Sequence, residues 1–194
     1  MTETGHRIFV AVPVHPALRE AVRTLERRLE EAGVTPRWIA PENLHFTLRF
    51  LGRISPAQLT RVRRAAQDAA ADTEPFRISL SGVGAFPTTR RPRVVWVGIT
   101  EGAAAMKALA GRLDDALARQ RFPKESRPLQ PHLTLARIRD PRQADGLEAA
   151  AASLGALEVG RQDVTSIAVV ESHLRPSGAL YVPVEEVPLS SHEK

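Results

Sequence analysis

The sequence predicts an α+β fold with mixed or antiparallel sheets, and three observations carry that prediction. Strand-like and helix-like segments mix along the whole chain, yet several strand pairs are joined by links too short for a parallel crossover. No Gly-x-Gly-x-x-Gly or Gly-Lys-Ser/Thr loop is present, which removes the doubly wound dinucleotide and P-loop folds. The pattern His-x-Thr-apolar occurs twice, as His45-Phe46-Thr47-Leu48 and as His132-Leu133-Thr134-Leu135. Each copy is followed by a turn and a capping box with proline at the first helical position, Ser55-Pro56-Ala57-Gln58 and Asp140-Pro141-Arg142-Gln143. Such an internal repeat predicts two related halves, and a pseudo-two-fold axis would bring both polar strand faces into one groove.

The elements follow in order. Arg7 to Val14 is an apolar strand bounded by Pro13 and Pro16. From Pro16 to Ala32, Leu18, Val22, Leu25 and Leu29 recur at helical spacing, and Gly33 supplies a stop. Trp38-Ile39 is a short extended piece before the Pro41-Glu42-Asn43 turn. The first His-x-Thr strand spans His45 to Leu51 and ends at Gly52. The helix opened by Ser55 runs to about Asp72 and buries Leu59, Val62 and Ala66. Phe76 to Ala85 and Arg93 to Ile99 read as strands flanking a basic loop, Phe86 to Pro92. A third helix over Ala103 to Arg119 aligns Met106, Leu109, Leu113 and Leu117 on one stripe. After a proline-rich approach the second His-x-Thr strand covers His132 to Ile138, and a capped helix begins at Asp140. Two strands near Thr165 to Val170 and Ala179 to Val184 close the chain, with Pro176 to Gly178 as their turn.

Bulk properties narrow the function. A length of 194 residues suits one compact domain or two small lobes sharing a core. One bilobal domain over 1–194 is expected, with a disordered tail at about 190–194. The chain has no cysteine, which removes disulfides, thiolate nucleophiles and Cys-based zinc sites. No apolar run approaches the ~20 residues of a membrane span, and no signal-peptide core precedes Arg7. The cytoplasm is therefore the expected location and a monomer the expected state. The net charge of +5, mainly arginine, suits a polyanion such as RNA, although an Arg- and Ala-rich genome also produces it.

Strand alternation sends His45, Thr47, Arg49 and Leu51 to one face and Phe46, Leu48 and Phe50 to the other. His132 and Thr134 likewise oppose Leu133 and Leu135. Imidazole titrates near neutrality, so of two neighbours one can take a proton while the other gives one. Threonine hydroxyls and arginine guanidiniums can hold phosphate oxygens. The set suits in-line displacement at phosphorus with an alcohol leaving group. Neither tetrapeptide contains a carboxylate, and two histidines fall short of a catalytic zinc set, so neither a metal nor another cofactor is expected. No Gly-x-Ser-x-Gly elbow supports a serine triad. His6, His15, His173 and His192 are read as surface residues, and Phe9 and Trp38 as core.

On these motifs the chain resembles the 2H phosphoesterase superfamily, and within it the RNA 2′,3′-cyclic phosphodiesterases, also called 2′-5′ RNA ligases. The matching text is Arg7-Ile-Phe-Val-Ala, Trp38 with Asn43 to Gly52, Pro131 to Arg137, and the closing Glu171-Ser, Leu174, Gly178 and Tyr181. The resemblance implies a bilobal fold, two pseudo-symmetric lobes around a central groove. It implies metal-independent opening of RNA 2′,3′-cyclic phosphate ends to 2′-phosphomonoesters, with 2′-5′ ligation in some members. It implies His132 as the base activating water and His45 as the acid, roles that reversal of the reaction exchanges. Thr47 and Thr134 would hold phosphate oxygens. Strand parity adds Arg49 to the phosphate site. Arg137 matches a family arginine near the phosphate, but strict alternation turns it away from His132, and only a bulge or an early strand end would bring it round. Arg90, Arg91 and Arg93 are candidate RNA contacts. The rival readings are a 2H enzyme acting on a small cyclic nucleotide, one whose main role is ligation, and an RNA-end-binding protein without turnover.

Overall fold

The computed structural model describes residues 5–175 and 178–190. Two antiparallel sheets form the framework, which corresponds to the predicted α+β class. The strands are β1 (His6–Pro13), β2 (Arg37–Trp38), β3 (His45–Ile54), β4 (Phe76–Thr88), β5 (Arg91–Ile99), β6 (His132–Arg137), β7 (Glu158–Val164), β8 (Ser166–Arg175) and β9 (Gly178–Pro188). The first sheet has the order β3-β1-β8-β9 and the second β2-β6-β5-β4-β7. The helices are α1 (Pro16–Glu31), α2 (Pro56–Ala71), α3 (Ala103–Arg119) and α4 (Leu147–Ser153).

The repeat is real in three dimensions, but its lobes are not successive halves of the chain. β3-β1 in one sheet corresponds to β6-β5 in the other, and each His-x-Thr strand lies beside its partner strand. The helix between those paired strands crosses to the opposite lobe. α1 packs on β7 of the second sheet, whereas α3 packs on α2 and β3 of the first. Gly160 of β7 allows this seating, because a Cβ there would stand 2.9 Å from Leu18 Cδ1 of α1. The apolar stripes predicted on α1 and α3 are buried, and with the inner faces of both sheets they form one continuous core.

Several local expectations change. β3 runs through Gly52, which takes a φ of 71°, and ends at Ile54. The basic loop after Phe86 is mostly strand, since β4 and β5 pair up to Thr88 and Arg91. The Asp140 capping box forms as expected, but it closes a 3₁₀ turn over Pro141–Gln143, and the helix itself starts only at Leu147. Ser55 caps α2 with the full reciprocal box. β7 escapes sequence reading because it is short and polar, EVGRQDV, and its burial comes from α1 and β4. Ser190 bonds through its N–H to Ala70 O (3.1 Å), so the expected tail does not begin there. The rest of that tail, the Pro176-Ser177 part of the last turn and His192 lie outside the described residues.

Candidate active site

β3 and β6, the two His-x-Thr strands, pack side by side where the sheets meet. His45, Thr47, His132 and Thr134 are all half-buried, between strand neighbours that are fully buried. Each histidine is fixed the same way. His45 Nδ1 lies 2.7 Å from Asn43 O, and His132 Nδ1 lies 2.6 Å from Gln130 O. A carbonyl oxygen can only accept, so in both rings Nδ1 carries the hydrogen and Nε2 is left as the reactive atom. Asn43 is itself anchored, donating from Nδ2 to Ala179 O of β9 (2.9 Å).

Each imidazole rests on two aromatic rings. Phe9 and Tyr181 lie 4.7 and 5.2 Å from the His45 ring, and Phe86 and Trp96 lie 5.1 and 6.2 Å from His132. Gly84 makes room for the second floor, because a Cβ there would meet the Trp96 ring at 2.3 Å. Phe9 is buried, as expected, but it belongs to a small cluster with Ala11, Ala168 and Val170 on the groove face, apart from the main core. Tyr181 lies in the closing text that carries the resemblance but, like Phe86 and Trp96, is not predicted as a site residue, because all three come from strands remote in sequence from the His-x-Thr motifs.

The decisive local feature is a bulge in each strand. On β3 the partners are Ala11↔Thr47 and then Val10↔Arg49, so Leu48 is an extra residue. On β6 they are Trp96↔Thr134 and then Val95↔Ala136, so Leu135 is extra. Each bulge inverts the parity that follows it. Arg137 therefore shares the face of His132, and the bulge required to bring it round is present. Its charge acts on His45 across the groove. Arg49 is the correction: it shares the face of Val10, is only 9% exposed and points away from the groove. Its guanidinium donates to Glu125 Oε2 and Pro123 O (both 2.5 Å), with Asp114 at 3.7 Å. Phe50, expected on the core side, moves to the groove instead, where it is 61% exposed and 5.8 Å from Phe9. Five residues after its histidine, each strand thus presents a groove side chain, Phe50 on one wall and Arg137 on the other.

Burial lowers the proton affinity of His45 below the ordinary imidazole value; Arg137 and His132 push the same way, against the hydrogen bond to Asn43 O. Neither threonine hydroxyl has a hydrogen-bond partner among the described residues, so both are free to meet a ligand. Among the described residues no three His, Asp or Glu side chains converge on one point. Arg90 is paired with Glu148 (2.9 Å), away from the groove centre. His6 meets Glu171 (2.9 Å), and His15 caps α1 by accepting from Ala17 N (3.3 Å).

Two antiparallel sheets with a His-x-Thr strand of each flanking one groove define a 2H phosphoesterase-like protein. The model of the 2′-5′ RNA ligase superfamily matches residues 12–176, and the chain belongs to that superfamily. It is 36% identical to an RNA 2′,3′-cyclic phosphodiesterase of Methanothermobacter thermautotrophicus, over 92% of this chain and 96% of that protein. A protein of the same name from Aquifex aeolicus is 33% identical over 93% and 95%. Among solved structures, E. coli LigT complexed with 3′-AMP superposes with a TM-score of 0.77 at 25% identity, over 96% of this chain and 99% of that one. No helix among the described residues is long and apolar enough to cross a membrane.

Proposed function

We propose that the protein opens 2′,3′-cyclic phosphate ends of RNA to 2′-phosphomonoesters by paired-histidine acid–base catalysis, with no cofactor. The observation that carries this reading is the pair of Nδ1-anchored imidazoles on facing strands, each presenting Nε2 to one groove beside an unpartnered threonine and Arg137. The names of the relatives and the 3′-AMP held by LigT support the substrate class. In-line displacement needs a base on the side of the entering water and an acid on the side of the departing 3′ oxygen, and two imidazoles on opposite walls suit that demand. The base takes a proton from water as its oxygen bonds to phosphorus. The P–O3′ bond breaks, and the acid protonates O3′. Thr47, Thr134 and Arg137 hold the non-bridging oxygens, whose charge grows in the transition state. With a 5′-hydroxyl of a second RNA in place of water, the same step forms a 2′-5′ linkage.

The resemblance implies His132 as base and His45 as acid, and we adopt those roles for hydrolysis; reversal of the reaction exchanges them. The reading is tested by incubating the protein with RNA ending in 2′,3′-cyclic phosphate in excess EDTA and identifying the product. A 2′-phosphomonoester is expected; no turnover, or full dependence on added metal, overturns it.

A further inference from the structure

The groove face of the first sheet extends past the histidine. On β1, Arg7, Phe9 and Ala11 face the groove, alternating with Ile8, Val10 and Val12 in the core. Arg7 pairs directly with Arg53 of β3, two residues along β1 from the Phe9–Phe50 pair, about 7 Å on. Both arginines are exposed, and neither has a hydrogen-bond or ion-pair partner among the described residues. Like charges directly opposite on an antiparallel pair repel, so this arrangement costs stability unless an anion lies between them.

The two arginines line a depression of about 300 Å³, together with Glu171, Ser172, His173 and Leu174. Glu171 is the carboxylate of the lining, and it is already engaged, by His6 Nδ1 at 2.9 Å and His173 Nε2 at 3.6 Å. Ser172 is the cross-strand partner of Tyr181, whose ring packs on His45, so the depression continues the wall of the catalytic groove. Leu174 is 71% exposed at its edge, an unusual position for a large apolar side chain.

We propose that this depression is a second phosphate subsite, in which Arg7 and Arg53 hold the phosphodiester one nucleotide upstream of the cyclic end and Leu174 underlies the apolar edge of that nucleotide. Phe50, between the two phosphate positions, offers its exposed ring to the terminal base. The subsite rests on the RNA reading of the groove, and it explains how the protein would prefer an RNA end to a free cyclic nucleotide, which is too short to reach it.

The test compares a nucleoside 2′,3′-cyclic monophosphate with a trinucleotide ending in 2′,3′-cyclic phosphate, using the wild-type protein, the double variant Arg7→Ser/Arg53→Ser and the double variant Arg7→Lys/Arg53→Lys. For the serine variant, KM for the trinucleotide should rise on the order of ten-fold, its salt dependence should fall by about two counterions, and the monophosphate kinetics should stay at wild type. The lysine variant keeps the charges and should restore the salt dependence. An unchanged trinucleotide KM, or an equal change on both substrates, overturns the subsite and leaves the catalytic reading intact. Failure of the wild-type protein to turn over either substrate overturns that reading and the subsite with it.

Discussion

At the scale of single residues, chemically alike side chains are given different work by their surroundings. His45 and His132 share a motif and a backbone anchor, but burial, aided by Arg137, lowers the proton affinity of His45. Substituting sulfur for the departing 3′ oxygen makes a leaving group that needs no proton. His45→Ala, which should lose about 10² to 10⁴ in rate on the natural substrate, is expected to recover on the thio substrate while His132→Ala does not. Recovery of His132→Ala alone would exchange the two roles. The two candidate arginines should separate just as clearly. Arg137→Ala is expected to lower kcat by about 10² to 10³ with the melting curve unmoved. Arg49→Ala should cost about 1–3 kcal/mol in urea unfolding, through its lost bonds to Glu125 and Pro123. Glu26 supplies a pH signature away from the site. Desolvation pushes its carboxyl up to about 7, and its Oε1 is buried without a partner among the described residues. A raised carboxyl contributes stability that is full below the ordinary carboxylate range and is lost as pH rises through about 7. Glu26→Gln should therefore be the more stable protein at pH 8, with the gap closing near pH 4; urea melts at both pH values check this.

At the scale of elements, the two bulges decide which side chains reach the groove. Leu48 and Leu135 each insert one residue just after the threonine, and the residues that follow change face, on β3 as far as a second bulge at Leu51, which returns Arg53 to the groove side. The same device delivers Arg137 on one strand and Phe50 on the other, and on β3 it sends Arg49 to the core. The buried Arg49 then ties β3 to Pro123 and Glu125, on the segment that leads to Gln130 and His132. One motif strand thereby braces the approach to the other. The aromatic floors depend on close strand packing as well. Gly84→Ala puts a Cβ where the Trp96 ring lies, so the ring must shift beneath His132. A loss of about 1–3 kcal/mol in stability is expected, with a drop in kcat; thermal melting and steady-state kinetics measure both, and an unchanged kcat would show that the floor does not position the histidine.

At the scale of the whole molecule, the exchanged helices join the lobes. α1 leaves the first sheet to pack on the second, and α3 makes the reciprocal crossing. Neither lobe has a complete apolar cover of its own, which favours a single domain over two separable ones. Calorimetry should show one cooperative transition with equal van't Hoff and calorimetric enthalpies; two resolved transitions would show lobes that fold independently. The crossing also ties the two histidine strands to one shared core, as the proposed acid–base pair on opposite sides of one phosphorus would require.

Local chemistry made much of this legible from the chain alone. Helical periodicity defined α1, α2 and α3, the Ser55 box marked the start of α2, and the repeated His-x-Thr pattern pointed to one site shared by two strands. These signals lie within a few residues of one another, so sequence spacing carries them. Strand parity failed at Leu48 and Leu135 because a bulge is a property of pairing with a neighbour remote in sequence, β1 for one and β5 for the other. β7, the aromatic floors and the helix exchange were hidden for the same reason. The sequence by itself determined that two histidines and two threonines would share a polar face. Only the tertiary structure decided that Arg137 joins them and Arg49 does not, because one extra residue in a strand reverses the side chains that follow it, and where that residue is accommodated is set by the partner strand.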